Sequence, residues 1–160
     1  MTPGVSRSVR IADGPADRAS CFALREEVFI AEQRVPAEIE YDAFDEPAAD
    51  TVHVLAVDGD GTPLGTARLL HGPGAAGRTG GDPALGVLGR LAVTASARGL
   101  GIGVALVRAI EEAARERGLS AVDLHAQTHA LAFYERLGYA AYGEEFSEGG
   151  IGHRGMRRAL

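Results

Sequence analysis

The sequence predicts an α/β fold, a mixed sheet carrying helices, and three observations support that prediction. Short apolar runs alternate with helical patterns along the chain. Glycine turns join β-rich runs into a hairpin near the start, at Asp58-Gly-Asp-Gly61, and another at the end, at Ser147-Glu-Gly-Gly150. Between them, residues 87–106 pass from an apolar run through a glycine-rich turn into a helical stripe.

In chain order, residues 1–6 read as a loose start. Residues 8–12 alternate apolar and polar side chains, the period of a short strand. Asp13-Gly-Pro-Ala-Asp17 reads as a turn with a helix cap. Residues 18–31 place Cys21, Leu24, Val28 and Ala31 on one stripe with Phe22 and Phe29 beside it, an amphipathic helix. Cys21 reads there as a small core residue. Residues 32–46 are dense in acids, with Glu38, Glu40, Asp42, Asp45 and Glu46 set around Ile39, Tyr41 and Phe44. Two readings stand: a solvated loop with aromatic anchors, or the rim of a pocket that favours an amine. Residues 51–57 and 63–70 form the first hairpin. Residues 71–83 are a flexible, glycine-rich loop, either lid or slack. Residues 87–93 are a strand. After the turn, Ile102, Leu106, Ala109, Ile110 and Ala113 mark a helix that ends near Arg117, with Gly118 as its C-cap. Residues 121–126 are a strand, 130–137 a short helix stopped by Gly138, and 139–146 and 153–158 the closing strands.

At 160 residues the chain suits one domain, 1–160, with one well-buried core. Its 46% hydrophobic and 24% charged content is that of an ordinary soluble protein. The net charge of −6 argues against a nucleic-acid surface, and no basic block overrides it. It is compatible with an amine substrate but selects none. A single cysteine cannot form an internal disulfide, which suits a reducing cytoplasm. No signal-peptide pattern or membrane-length apolar run is present in the sequence. Metal binding is disfavoured, because no paired His, Cys or carboxylate spacing occurs. An exposed closing strand would be free to pair with a second copy, as a homodimer.

The turn Arg98-Gly99-Leu100-Gly101-Ile102-Gly103 carries the chemistry. A helix entered from such a turn leaves its first N–H groups unpaired at the positive end of the dipole, where a phosphate or pyrophosphate is the natural guest. The P-loop Gly-Lys-Ser/Thr ending does not occur. The dinucleotide pattern Gly-x-Gly-x-x-Gly fails in both frames, at Val104 and at Leu106, which weakens a nucleotide-binding reading. What stands is Arg98-x-x-Gly101-x-Gly103 after an apolar strand. It resembles the coenzyme A pyrophosphate loop of the GCN5-related N-acetyltransferases (GNAT), Gln/Arg-x-x-Gly-x-Gly/Ala; the alternative is an ordinary tight strand-to-helix turn. Downstream, Ala130-Leu-Ala-Phe-Tyr-Glu-Arg-Leu-Gly-Tyr139 is similar to that family's second signature, Ala-x-x-Phe/Leu-Tyr-x-x-x-Gly-Phe/Tyr. The resemblance covers nearly the whole chain. The stretch from Val28 to Pro36 with its following acids, and Phe146-x-Glu-x-Gly-Ile-x-His-x-x-Met156, look like a bacterial branch of small-molecule or uncharacterised acetyltransferases.

The resemblance implies a mixed, mostly antiparallel twisted sheet of about six to seven strands with helices on both faces, splayed at the central strands (the GNAT fold). It implies an acetyl-CoA-dependent N-acetyltransferase acting on a primary amine of a small molecule by direct attack in a ternary complex. The pantetheine arm would lie along Leu91, Ala92 and Val93, where that strand parts from the next near His125. Backbone N–H groups of Arg98, Gly99, Leu100, Gly101, Ile102 and Gly103 would hold the pyrophosphate, Arg98 adding a charged contact. An N–H near Val93 would polarise the thioester carbonyl. Gln127 stands where many relatives carry Asn, and its amide would reach the pantetheine. Tyr134 would protonate the departing thiolate, since a phenol with a reference pKa of about 10 is protonated at neutral pH; the alternative is a packed tyrosine lining the groove. For the base, Glu32, Asp45, His125, His129, Glu145 and His153 are candidates. His153 draws attention because the matching branch carries histidine there; it is either catalytic or a structural residue of its strand. The rival function is a non-catalytic acyl-CoA-binding or sensing module. Amino sugars, polyamines, amino acids, drugs and peptide N-termini all stay open as acceptors.

Overall fold

The computed structural model describes residues 7–160, so the loose start expected for residues 1–6 lies outside it. Seven strands form one sheet: β1 Ser8–Ile11, β2 Val52–Val57, β3 Pro63–Leu70, β4 Leu85–Val93, β5 Ala121–Gln127, β6 Ala140–Glu148 and β7 Ile151–Ala159. Their order is β1-β2-β3-β4-β5-β7-β6. Only β4 and β5 pair in parallel, and the other five pairings are antiparallel. A parallel pair needs a crossover, and helix α4 Ile102–Glu116 supplies it.

β2 is buried along its whole length. Alternate side chains leave a strand on opposite faces. Accordingly Val52, Val54 and Ala56 join Leu106, Val107 and Ile110 of α4 in one core, while Leu55 and Val57 join Cys21 and Leu24 in a smaller one. The mixed sheet with helices on both faces is therefore as expected, and Cys21 is a fully buried core residue.

The first helix departs from the expected single helix over 18–31. Helix α1, Pro15–Arg25, runs directly into a π-helical segment, Glu26–Glu32, closed by Gln33 N–H donating to Val28 C=O at 3.1 Å. The wider turn rotates everything after it around the axis. Val28 stays buried, but Ala31, expected on the same stripe, is exposed. The segment 71–83, expected as a flexible loop, contains a 3₁₀ turn, Pro73–Ala75, and a helical turn α3, Ala76–Thr79. Between α1 and β2 lies another helical turn, α2 Ala37–Glu40, followed by a 3₁₀ turn, Ala43–Asp45. Helix α5, Leu131–Arg136, packs against β5 and β6.

Two irregularities of β4 position the site. Its pairing with β5 covers Leu85↔Ala121 to Leu88↔Leu124 and then stops, although both strands continue. Opposite, the register with β3 shifts between Thr66 and Arg68, with Arg90 at φ 56° as the extra residue of a bulge. β4 thus bends away from β5 and opens a gap in the middle of the sheet.

Candidate active site

The gap widens towards the loop 94–101. Gly99 and Gly101 adopt φ of 80° and 81°, left-handed values that a Cβ disfavours. Among the described residues, the backbone N–H groups of Gly99, Leu100 and Gly101 meet no acceptor, and the first turn of α4, which has no side-chain cap, leaves its own N–H groups without intrahelical partners. The Arg98 N–H differs from expectation, since it donates to Ala95 C=O at 3.3 Å. A cleft of about 630 Å³ runs over this loop, bordered by Leu91, Ala92, Val93, Arg98, Gly99, Gly101, Ile102 and Gly103. Leu100 sits at the same loop with its side chain half exposed. The Arg98 guanidinium is not free for an anion: it grips Glu32 at 2.7 and 2.8 Å and Val93 C=O at 3.0 Å.

Along β4 the ladder decides which backbone groups face the gap. Thr94 N–H donates to Leu64 C=O at 2.9 Å, which makes Gly65↔Val93 a non-hydrogen-bonded pair. Ala92 therefore spends its N–H and C=O on β3, while Val93 turns its own into the gap. A smaller cavity of about 180 Å³ continues inward from there, and Tyr134, Gln127, His125 and Leu91 line it. The Tyr134 ring is buried and packs edge-on against Phe133 and Tyr139, at 5.0 and 5.9 Å between centroids. Its hydroxyl has no hydrogen-bond partner among the described residues, and burial pushes the phenol well above its ordinary pKa. It is protonated at neutral pH and free to donate. Gln127 is occupied: its amide exchanges two hydrogen bonds with Gln33, at 2.8 and 3.3 Å, and accepts a third from His129 at 2.7 Å. The Gln33–Gln127 pair spans the gap as a clasp between the π-helical segment and β5.

On the far side of the clasp lies a third cavity, of about 120 Å³. One wall is the acid-rich stretch. Glu38 and Glu46 are exposed, as the solvated-loop reading has it, but Glu40, Asp42 and Asp45 are turned to arginines. Arg25, 1% exposed, holds Glu40 at 2.7 Å and Asp45 at 2.7 and 2.8 Å. Arg68, also 1% exposed, holds Asp42 at 2.8 Å and Asp45 at 3.0 Å. Arg90, carried inward by the bulge, reaches Glu40 at 3.1 Å. Three guanidinium groups meet three carboxylates, so the cluster is neutral. Burial works to raise Asp45, but hydrogen bonds from Arg25 and then the charges of Arg25 and Arg68 outweigh it and hold the carboxyl at about 2. Asp45 is thereby unsuited to accept a proton.

The opposite wall is the β5–β7–β6 surface. Gln127↔His153 and Phe146↔His153 are cross-strand pairs, and residues two apart share a face, so His125, Gln127, Phe146, Glu148 and His153 stand together. His125 Nδ1–H donates to Glu148 at 3.0 Å. His153 Nδ1–H donates to Ile151 C=O at 2.7 Å, which leaves its Nε2 3.7 Å from the other Glu148 oxygen. The hydrogen bond with Glu148 raises the His125 pKa, and the same bond lowers that of Glu148. Of the other base candidates, Glu32 is bound to Arg98 and His129 to Gln127, and Glu145 projects at the β6 bulge. Glu148 is not among the base candidates of the sequence, although it belongs to the stretch Phe146-x-Glu-x-Gly-Ile-x-His-x-x-Met156; it reads there as part of a turn. The hairpin register could have found it, because a turn closing Glu148↔Ile151 puts Glu148 and His153 on one face. No group of three or more metal-ligating side chains occurs among the described residues. Among them, too, no helix is long and apolar enough to cross a membrane.

Comparison with known proteins agrees with this geometry. Residues 19–139 match the model of the Acetyltransferase (GNAT) family. The chain is 36% identical over 149 residues to the uncharacterised N-acetyltransferase YjcF of Bacillus subtilis, covering 92% of this chain and 96% of that protein. The crystal structure of an acyl-CoA N-acyltransferase from Pseudomonas aeruginosa superposes with a TM-score of 0.78 at 34% identity, covering 98% of this chain and all of that one. That of Escherichia coli ElaA superposes with a TM-score of 0.78 at 26% identity, covering 97% and 99%.

Proposed function

The chain belongs to the Acetyltransferase (GNAT) family, whose members use an acyl-CoA cosubstrate, and from that premise we propose that it is an N-acetyltransferase that moves acetyl from acetyl-CoA to a primary amine of a small molecule, by direct attack in a ternary complex. One observation carries this reading above the others. The gap between β4 and β5 joins an anion-ready loop at one end to a small acceptor cavity at the other, with an unpartnered, protonated Tyr134 between them.

The loop suits the diphosphate, because its free N–H groups lie at a helix N-terminus and its glycines let a ligand approach the backbone. Bound in the gap, acetyl-CoA supplies a thioester whose C–S bond breaks as the acceptor nitrogen forms the new C–N bond. Val93 N–H, turned into the gap, donates to the carbonyl oxygen as negative charge grows there. Tyr134 gives its hydroxyl proton to the departing sulfur. His125, held in orientation by Glu148, takes one proton from the acceptor ammonium and passes it to solvent. The second surplus proton on nitrogen returns through water to Tyr134, so the enzyme is restored. His153 stands beside this dyad with its free nitrogen facing Glu148 and serves as the second route for the proton. Gln127 reaches the pantetheine once its clasp with Gln33 opens, and Arg98 reaches the diphosphate once it leaves Glu32. The setting of the reaction is the cytoplasm.

The test is thiol release from acetyl-CoA across a panel of diverse amines, with Tyr134→Phe as comparison. The expected result is turnover with at least one amine, reduced about 10²- to 10⁴-fold by the substitution with coenzyme affinity kept. Coenzyme binding without turnover of any amine would instead establish a binding or sensing module. Unchanged turnover in a chemistry-limited assay would remove Tyr134 from the acid role.

A further inference from the structure

The acceptor cavity holds one cation that the neutral arginine–carboxylate cluster does not account for. Arg78, on α3, lines this cavity together with Arg68 and Glu148. No carboxylate lies within ion-pair distance of it among the described residues; its guanidinium rests on one side of the Phe44 ring, 5.6 Å from the centroid. The Arg68 guanidinium lies over the same ring at 5.7 Å. Two cations thus share one aromatic ring, and only Arg68 has carboxylates to neutralise it. Arg68 itself is 1% exposed, yet its Nε–H has no hydrogen-bond partner. The His125–Glu148 hydrogen bond dominates the protonation of both groups, and the charge of Arg78 adds a small effect across the cavity, against protonation of His125 and for ionisation of Glu148.

We propose that the acceptor is an amine that also bears a carboxylate, a small amino acid or related amino-carboxylate, with its carboxylate on the Arg78 side of the cavity beside Arg68 and its amino group on the Glu148 side. This rests on the acetyltransferase reading above and narrows its acceptor. The cavity is dipolar, with an unpaired cation on α3 and an anion on β6. Arg78 is exposed and stays hydrated beside a plain amine, which gains nothing from it, whereas a polyamine sets a second cation against it. The two ends also fix the direction of entry: the amino group meets His125 at the gap only if the carboxylate lies away from it.

The experiment measures thiol release with matched pairs of acceptors, each amino acid against its carboxamide and its decarboxylated amine, with an aminophosphonate as a further arm. The expected kcat/KM is about ten- to hundred-fold higher for the carboxylate member, the scale of one charge-assisted hydrogen bond. In Arg78→Gln the ratio within each pair falls towards one, chiefly through KM, and Arg78→Lys restores part of it. Equal rates within the pairs, or a ratio that Arg78→Gln leaves alone, would overturn the proposal. A preference for the phosphonate over the carboxylate would overturn the choice of anion. If no amine is turned over, the acetyltransferase reading fails, and calorimetry then decides the anion site. Amino acids binding to the coenzyme-loaded protein and weakened by Arg78→Gln would support it, and no binding, or equal binding by the variant, would defeat it.

Discussion

The two ends of the cleft are built by different means. At the coenzyme end, nearly everything offered to a ligand comes from the backbone of one short run, Gly99 to Gly103, set by glycine dihedrals and by the start of α4. At the acceptor end the groups are side chains drawn from distant parts of the chain. Arg25 meets Asp45 across 20 residues, Arg68 meets Asp42 across 26, Arg90 meets the Glu40 carbonyl across 50, and His125 meets Glu148 across 23. The first end is a local device that survives wherever its five residues can fold between a strand and a helix. The second exists only when the whole sheet is assembled. That division suits an enzyme class with a constant donor and variable acceptors, since the acceptor end can change without disturbing the loop.

Breaking the acceptor end should therefore cost stability first. In Asp45→Ala, Arg25 and Arg68 lose a shared, buried counter-ion, and a loss of about 3–5 kcal/mol in unfolding free energy is expected. Urea denaturation measures it, and a loss below about 1 kcal/mol would show that the cluster is not held as the structure has it. The same carboxyl sets a pH signature. Its folded value of about 2 lies below the unfolded value near 3.9, so its contribution is present above about pH 4 and disappears as pH falls towards 2. The wild-type protein should lose that increment on acidification, and the variant should have none to lose.

Breaking the coenzyme end should cost affinity and spare the fold. Gly101→Asp puts a negative charge where the diphosphate would sit, and aspartate tolerates the left-handed backbone better than most residues. Nothing lies within 4 Å of a Cβ built there, so no clash confuses the result. Calorimetry should show coenzyme affinity reduced by more than about 100-fold, the several kcal/mol of like-charge juxtaposition, with unfolding free energy lowered by only about 1–2 kcal/mol. Near-normal affinity would defeat the assignment of the loop.

The smallest effect sharpens the boundary between the ends. Glu148 raises the His125 pKa through their hydrogen bond, so Glu148→Gln should let it fall. The acidic limb of kcat/KM, where His125 must lose its proton to act as base, should move to lower pH as the maximal rate declines. A limb that stays in place would assign the base elsewhere, His153 first.

How much of this was legible in the sequence follows the same division. Glycines at 99, 101 and 103 between an apolar strand and a helical stripe announce their geometry locally, because φ preference and period act over a few residues. The succession of strands and helices and the two hairpins follow from such signals, and Tyr134 is named by the resemblance of residues 130–139 to the family signature. The fate of Glu40, Asp42 and Asp45 did not, because no local pattern says that Arg25, Arg68 and Arg90 converge on them. The π-helical turn at Glu26–Glu32 was equally hidden: its residues keep a helical pattern, and only the exposure of Ala31 reveals the shifted register. Arg78 lies in a glycine-rich run that reads as lid or slack, and tertiary packing makes it a wall of the cavity.

The proposed reaction requires the turn after β4 to cradle the diphosphate of coenzyme A. A crystal structure with acetyl-CoA bound tests it most directly. Diphosphate oxygens are expected within hydrogen-bond distance of the N–H groups of Gly99 to Gly103, with the thioester beside Val93 and Tyr134. Diphosphate density elsewhere on the protein, with that turn left bare, would contradict it.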